Sequence, residues 1–292
     1  MNIYWQTFKQ AFFATVDWTE RMITFDVPWY KNFFYALIVI SLVVWMLEII
    51  FPWRKEQKII RKDFWLDGFY MFFNFFIFSI AINGIWALLG VAGNQFGISA
   101  QSLSIINLDS LPAAAQLLIF FIILDFVQWF THIILHRVPV FWEFHKVHHS
   151  VEEMGFAAHL RYHWMENILY KPLKTVGVML IGGFEPNMAY VVHFVALTIG
   201  HLNHANIKIT WGPLKYIFNN SVMHLWHHAR YLPKEKRYGV NFGISLSIWD
   251  YIFKTNYIPS NDGNIELGFD HLEEFPKSFW KQLTYGFKKR NA

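Results

Sequence analysis

Between Lys62 and Arg137 the chain carries neither lysine nor arginine, and that gap limits its possible folds more than any other feature. Two apolar runs lie inside it, about Phe64 to Val91 and about Ala113 to Leu135. A third, Asn32 to Pro52, precedes it and is interrupted only by Glu48. Each is long enough to cross the hydrocarbon core as a helix, which takes about 20 residues. Lipid offers the backbone no hydrogen-bond partner, so such runs satisfy their own N–H and C=O groups as helices. The expectation is an all-α integral membrane bundle.

Charge gives that bundle a direction. Arg54, Lys55, Lys58, Arg61 and Lys62 follow the first span in a dense cluster, which the positive-inside rule places in the cytoplasm. The loop over 93–112 then faces outward, and the third span returns inward. A fourth apolar stretch, about Leu173 to Gly200, is broken by Gly182, Gly183, Glu185, Pro186 and Asn187. Each half is short for a crossing, so a hairpin turning near Gly183 to Asn187 is expected. That makes about four membrane-embedded units beneath a cytoplasmic helical cap. Residues 1–30, with Trp5, Phe8, Phe12, Phe13 and Trp18, read as an interfacial segment. So do Trp280, Leu283 and Phe287 beside Lys277, Lys281, Lys288 and Lys289. The start, Met1 to Trp5, lacks the basic region and short apolar core of a cleavable signal. With no repeat or linker, 1–292 reads as one membrane-embedded unit with a core at about 113–256.

Composition agrees. Only 16% of residues are charged, against about a quarter in soluble domains. The net charge of +4 sits in flanks of apolar runs, which suits lipid headgroups and not nucleic acid. There is no cysteine, which excludes disulfides, cysteine-ligated iron–sulfur clusters and c-type haem attachment. Any redox chemistry must draw its electrons from elsewhere.

Eight of the 14 histidines fall in three groups where the third span re-enters the cytoplasm and beyond. They are His132 and His136; His145, His148 and His149; and His224, His227 and His228. On a helix, residues three and four apart share a face, so each group is expected to aim its imidazoles at a common point. At this histidine content one HxxHH arises by chance only about 0.03 times, which answers the usual objection to short motifs. Polar groups beside lipid are costly without partners, and metal coordination supplies them. Eight nitrogens exceed the four to six one ion accepts, so two ions are expected. Imidazole alone admits Zn, Fe, Cu, Ni or Co.

The residues around these boxes resemble the fatty acid hydroxylase/sterol desaturase superfamily of membrane non-haem di-iron oxygenases, from Asp125 to about Thr255. Asp125 through His132 to His136, Arg137 and Pro139 is similar to the first box of that family. Phe141 to Ser150 is similar to the second almost position for position. Arg161, His163 and Glu166 resemble its Arg-x-His-Pro-x-Glu stretch, with Trp164 in place of the proline. His204 to Asn206 resembles a His-Ser-Asn element. Met223 to His228, Asn241 to Gly243 and Trp249 to Thr255 resemble the third box and its closing signature. Ile133 stands where arginine is frequent. His159 and His201 have no regular counterpart; His159 stays outside the ligand set and metal contact by His201 is left open.

The resemblance implies ligation by His132, His136, His145, His148, His149, His224, His227 and His228, with His163 and His204 added. It implies two iron ions, O2 as co-substrate, and hydroxylation or desaturation of a sterol-like or fatty acyl C–H bond in the bilayer. A separate ferredoxin, cytochrome or reductase is then the electron donor. A ligating imidazole donates its second nitrogen to a carboxylate or carbonyl, and Asp125, Glu166 and Asp250 are the carboxylates expected behind the ligands. Asn241 and Gly243 are expected to shape a turn. A di-zinc membrane hydrolase would use the same ligands to activate water. A bis-histidine haem protein would need isolated histidines on facing helices, and a metal transporter would place them within the spans.

Overall fold

The computed structural model describes residues 3–98, 103–182 and 187–287. It is helical nearly throughout: α1 (Ile3–Ile23), α2 (Phe33–Ile50), α3 (Phe64–Phe72), α4 (Phe78–Gln95), α5 (Ala113–Arg137), α6 (Pro139–His149), α7 (Trp164–Met179), α8 (Met188–His204), α9 (Ser221–His227), α10 (Ile248–Ile252) and α11 (Phe279–Leu283). Three helical stretches are long and apolar enough to cross a membrane: Phe33–Ile50, Phe64–Gln95 and Ala113–Arg137. Their outward residues are apolar too, as Val39, Leu42, Val43 and Met46 are exposed on α2. A helix apolar all round suits a lipid surrounding.

The second span is α3 and α4 joined through one widened π turn, Phe73–Ile77. At that turn the buried Asn74 donates to Leu160 O and Tyr162 O, at 3.2 and 2.9 Å, tying the span to the loop beside the histidines. The segment expected to lie on the bilayer surface is instead α1, packed antiparallel along α4. Tyr4 reaches Gln95 at 2.8 Å and Asn83 reaches Thr15 at 3.3 Å. The reason is Gly84, where a Cβ would come within 2.6 Å of the Phe8 ring; its absence admits the ring and lets the helices close up. The expected C-terminal interfacial helix is the short α11, whose Phe279 packs on Tyr70 and Phe73. Lys288 and Lys289 lie outside the described residues.

α5 ends at Val138 because Pro139 follows. Proline pushes the residue before it to extended backbone, and Val138 has φ −93° and ψ 114°. Proline also suits the first turn of a helix, so α6 starts at once and folds back beneath α5. α7 and α8 are the hairpin arms, with the turn at 183–186 outside the described residues. The arms are 16 and 17 residues long, about 25 Å at 1.5 Å per residue. They nonetheless reach the loop before α5, where Ile106–Asn107 pairs in parallel with Ile181–Gly182. Both arms pack on α5 and stand apart from each other, leaving space between them.

The basic segment after α2 folds over the histidine region. Trp53 N donates to Asn206 O at 2.9 Å, and an Arg54 Nη donates to Met154 O at 2.7 Å. Beneath it the buried Arg161 binds Asp63, Asp67 and Ser150 at 3.0, 3.1 and 2.9 Å, and Arg61 also pairs with Asp67. Buried charges persist when paired in this way.

Candidate metal centre

Nine histidines from four helices converge, and they form two groups. One nitrogen each from His132 and His136 on α5, His145 and His149 on α6, and His227 on α9 lie within 4.8 Å of one another. One nitrogen each from His148 on α6, His204 at the end of α8, and His224 and His228 on or just after α9 form the second set, on the same measure. All nine are buried. The expectation that each box aims at one point is corrected here, because both HxxHH boxes divide. α6 gives its first and fifth positions to the five-histidine group and its fourth to the other. α9 does the reverse. The cause is elementary: positions three and four residues on flank the first on opposite sides, 300° and 400° around the helix. The groups adjoin, with the His149 and His228 rings stacked at 4.4 Å between centres.

The protons can be placed. A carbonyl oxygen only accepts, so an imidazole nitrogen facing one carries the hydrogen. His132 Nδ1 faces Phe242 O at 2.8 Å, His227 Nδ1 faces Val240 O at 2.7 Å, His148 Nδ1 faces Arg161 O at 3.0 Å and His204 Nδ1 faces Gly200 O at 2.7 Å. His145 Nδ1 faces Glu166 Oε2 at 3.0 Å. In these neutral rings Nε2 is therefore a bare lone pair. Yet His132 Nε2 lies 3.1 Å from His145 Nε2, and His204 Nε2 lies 3.4 Å from His148 Nε2. Two lone pairs at that separation repel, and a shared cation turns the repulsion into ligation. The donor set fits a metal ion in each group, with five and four nitrogens and positions left open to other ligands.

Burial favours the ligating form. Desolvation, reinforced by neighbouring imidazoles, holds His145, His149, His224, His227 and His228 well below the ordinary histidine range, and desolvation brings His148 down to about 4. Near neutral pH these rings are uncharged, as metal ligands must be.

The other expected site residues separate clearly. His163 stands outside both groups, which corrects its place in the ligand set. It caps α7, its Nδ1 accepting from Met165 N at 3.1 Å while Nε2 donates to Leu283 O at 2.9 Å. Both nitrogens are engaged and no lone pair is free. Asp125 touches no histidine. It accepts from Ser245 N, Leu246 N and Trp249 Nε1 at 3.1, 3.2 and 2.9 Å, so its expected place behind a ligand is corrected to anchoring the 245–249 turn. Glu166 does contact a histidine, holding His145 with one oxygen and His163 N with the other. Asp250 acts at one remove, through the backbone of Phe242 and Gly243, at 2.9 and 2.8 Å.

Asn241 and Gly243 shape the turn as expected. Asn241 has φ +51°, a region asparagine tolerates. At Gly243 a Cβ would meet Leu246 O at 2.3 Å. His159 and His201 pair with each other, Nδ1 to Nδ1 at 2.8 Å, and His201 also meets Ser41 Oγ at 3.1 Å. Neither belongs to the groups of converging nitrogens. A chamber of about 350 Å³ between the hairpin arms touches His132 and His145 of one group and His148 and His204 of the other. Sequence reasoning missed its polar wall, above all Lys174. The signal was a lysine inside the stretch read as apolar, since ionisable residues at membrane depth tend to be functional.

Comparison with known proteins converges on one family. The fatty acid hydroxylase family model matches residues 117–255. An ornithine lipid hydroxylase of Rhizobium tropici is 28% identical over 62% of this chain and 53% of its own length. Human alkylglycerol monooxygenase is 31% identical over 57% of this chain and 38% of its own length. A methylsterol monooxygenase of Aspergillus fumigatus is 23% identical over 88% of this chain and 90% of its own. The chain thus spans about half or less of the first two relatives. No solved structure matches it.

Proposed function

Because this chain belongs to the fatty acid hydroxylase family, we propose that it is a membrane monooxygenase that hydroxylates a lipid C–H bond at a two-iron centre. One observation carries the reading: two adjoining sets of buried imidazoles oppose their lone pairs beside a chamber that reaches both. The relatives are named as hydroxylases and monooxygenases, which favours hydroxylation over desaturation. One oxygen atom enters the C–H bond; the other leaves as water with two electrons and two protons from an external donor.

Two iron ions held by the five- and four-histidine groups would supply the oxidising power for an unactivated C–H bond. The protein's own part is placement. The carbonyls of Phe242, Val240, Arg161 and Gly200 and the carboxylate of Glu166 fix which nitrogen of each ring faces inward. Burial keeps water from competing, and the hairpin arms bound the space where the reacting carbon lies. With no cysteine in the chain, a separate electron carrier is needed. The histidines sit on the side of the Arg54–Lys62 cluster, which packs over them, and the positive-inside rule makes that side cytoplasmic.

The test is oxygen-isotope labelling. Iron-loaded protein in lipid, given a reductant, is expected to transfer one atom from labelled O2 into a lipid, and zinc-loaded protein none. Lipid turnover without O2, or by the zinc form, overturns the proposal.

A further inference from the structure

The hairpin arms α7 and α8 enclose two chambers with α5. The first, about 350 Å³, is the one that reaches both histidine groups. The second, about 380 Å³, lies further along the arms and is walled by Phe120, Phe121, Leu124, Val178, Met179 and Val192. Gln128, Lys174, His193 and Ala196 line both, so they form the waist between them. At that waist Lys174 Nζ donates to Gln128 Oε1 at 2.7 Å and lies 5.4 Å from the centre of the Tyr170 ring. Lys171, one turn earlier, also faces the first chamber and donates to Asn83 Oδ1 at 3.2 Å.

Two ammonium groups therefore open into one membrane-embedded cavity. Among the described residues each is hydrogen-bonded by a neutral amide and neither forms an ion pair. The carboxylates on the chamber walls are Asp125 and Glu166. Asp125 acts on Lys174 at longer range but is bonded to Ser245 N, Leu246 N and Trp249 Nε1, and Glu166 is bonded to His145 and His163 N. An ammonium has three protons to donate, and one amide oxygen leaves two of those on Lys174 for another acceptor. Ionisable residues at such depth are costly and persist where they meet a partner.

The geometry points to a substrate that is an anionic amphiphile, with its phosphate or carboxylate docked at Lys174, its hydrocarbon in the second chamber and its polar-end segment in the first. Where oxidation occurs rests on the oxygenase reading above; the binding mode does not. Together they put the oxidised carbon in the first chamber, on the side of the acidic group away from the hydrocarbon.

Binding is measured on metal-free protein in a neutral detergent, using three probes of one chain length: hexadecyl phosphate, hexadecanoate and hexadecanol. Wild-type protein is expected to bind at least one anion roughly tenfold more tightly than the alcohol, and the tighter anion identifies the headgroup chemistry. Lys174→Met is expected to erase the difference and Lys174→Arg to keep it. Should the methionine variant not fold, Lys174→Gln, which retains a partner for Gln128, carries the same comparison. Equal binding of all three probes by wild type, or a preference that survives loss of the ammonium, overturns the inference. Protein that prefers anions yet oxidises no lipid refutes the oxygenase reading and leaves this one standing.

Discussion

Replacing Asp250 by asparagine tests whether the metal centre depends on a carboxylate that touches no histidine. Four donors aim at Asp250: Trp129 Nε1, Phe242 N and Thr255 Oγ1 at one oxygen, at 3.1, 2.9 and 2.6 Å, and Gly243 N at the other, at 2.8 Å. An amide has one oxygen and one NH2. Whichever way asparagine turns, the NH2 confronts either the N–H of Gly243 or the three donors at the other oxygen, and at least one buried donor goes unpaired. That costs about 1–3 kcal/mol, and weakening the other charge-assisted bonds adds roughly 1–2 more. The strain falls on residues 240–243, whose carbonyls hold His132 and His227. Loss of a group supporting a ligand typically lowers metal affinity about 10–100-fold. Asp250→Asn is therefore expected to lower the thermal transition and to leave less iron bound at limiting supply, both measured on detergent-purified protein. A variant matching wild type in both stability and metal titration would show that this turn does not govern the histidines.

Other expectations follow from the same contacts. His227→Ala should cost the chain its metal, whereas His163→Ala should keep metal and lose about 1 kcal/mol of stability with its helix cap; metal analysis beside calorimetry separates the two. Gly239→Ala should impair loading, because the position has φ +105° and a Cβ would lie 2.8 Å from His136 Nδ1; unchanged metal content would contradict that contact. Metal-free protein should weaken as pH falls from about 6.5 toward 4. His148 titrates near 4 when folded and near 6.5 when unfolded, so the unfolded chain takes the proton first and about 3 kcal/mol is lost across that window. Chemical denaturation at several pH values reads the slope, and a flat profile would refute it.

The apolar runs and the histidine spacing were legible because each obeys a short-range rule, residues per crossing or residues per turn. Those rules locate α2, α5 and eight of the converging imidazoles. They fail where a partner lies far along the chain. The Asp125 carboxylate sits two turns from His132 on α5, and only the tertiary path of 245–249 shows that backbone N–H groups claim it. His163 looks like a ligand by neighbourhood, yet its Nε2–H donates to the carbonyl of Leu283, 120 residues on. α1 carried the aromatic residues of a surface segment, and only the space at Gly84 decides that it packs lengthwise on α4. The carbonyls that orient the rings have no sequence signal, since every residue has one.

The opposite way in which α6 and α9 split their histidines has a further consequence. Neither short helix can rotate, or leave, without disturbing both histidine groups, and the same two turns are the shared walls of two rooms. Assembly of the pair is therefore all or nothing. Metal should be found at two equivalents per chain or at none, with the singly filled form always in the minority.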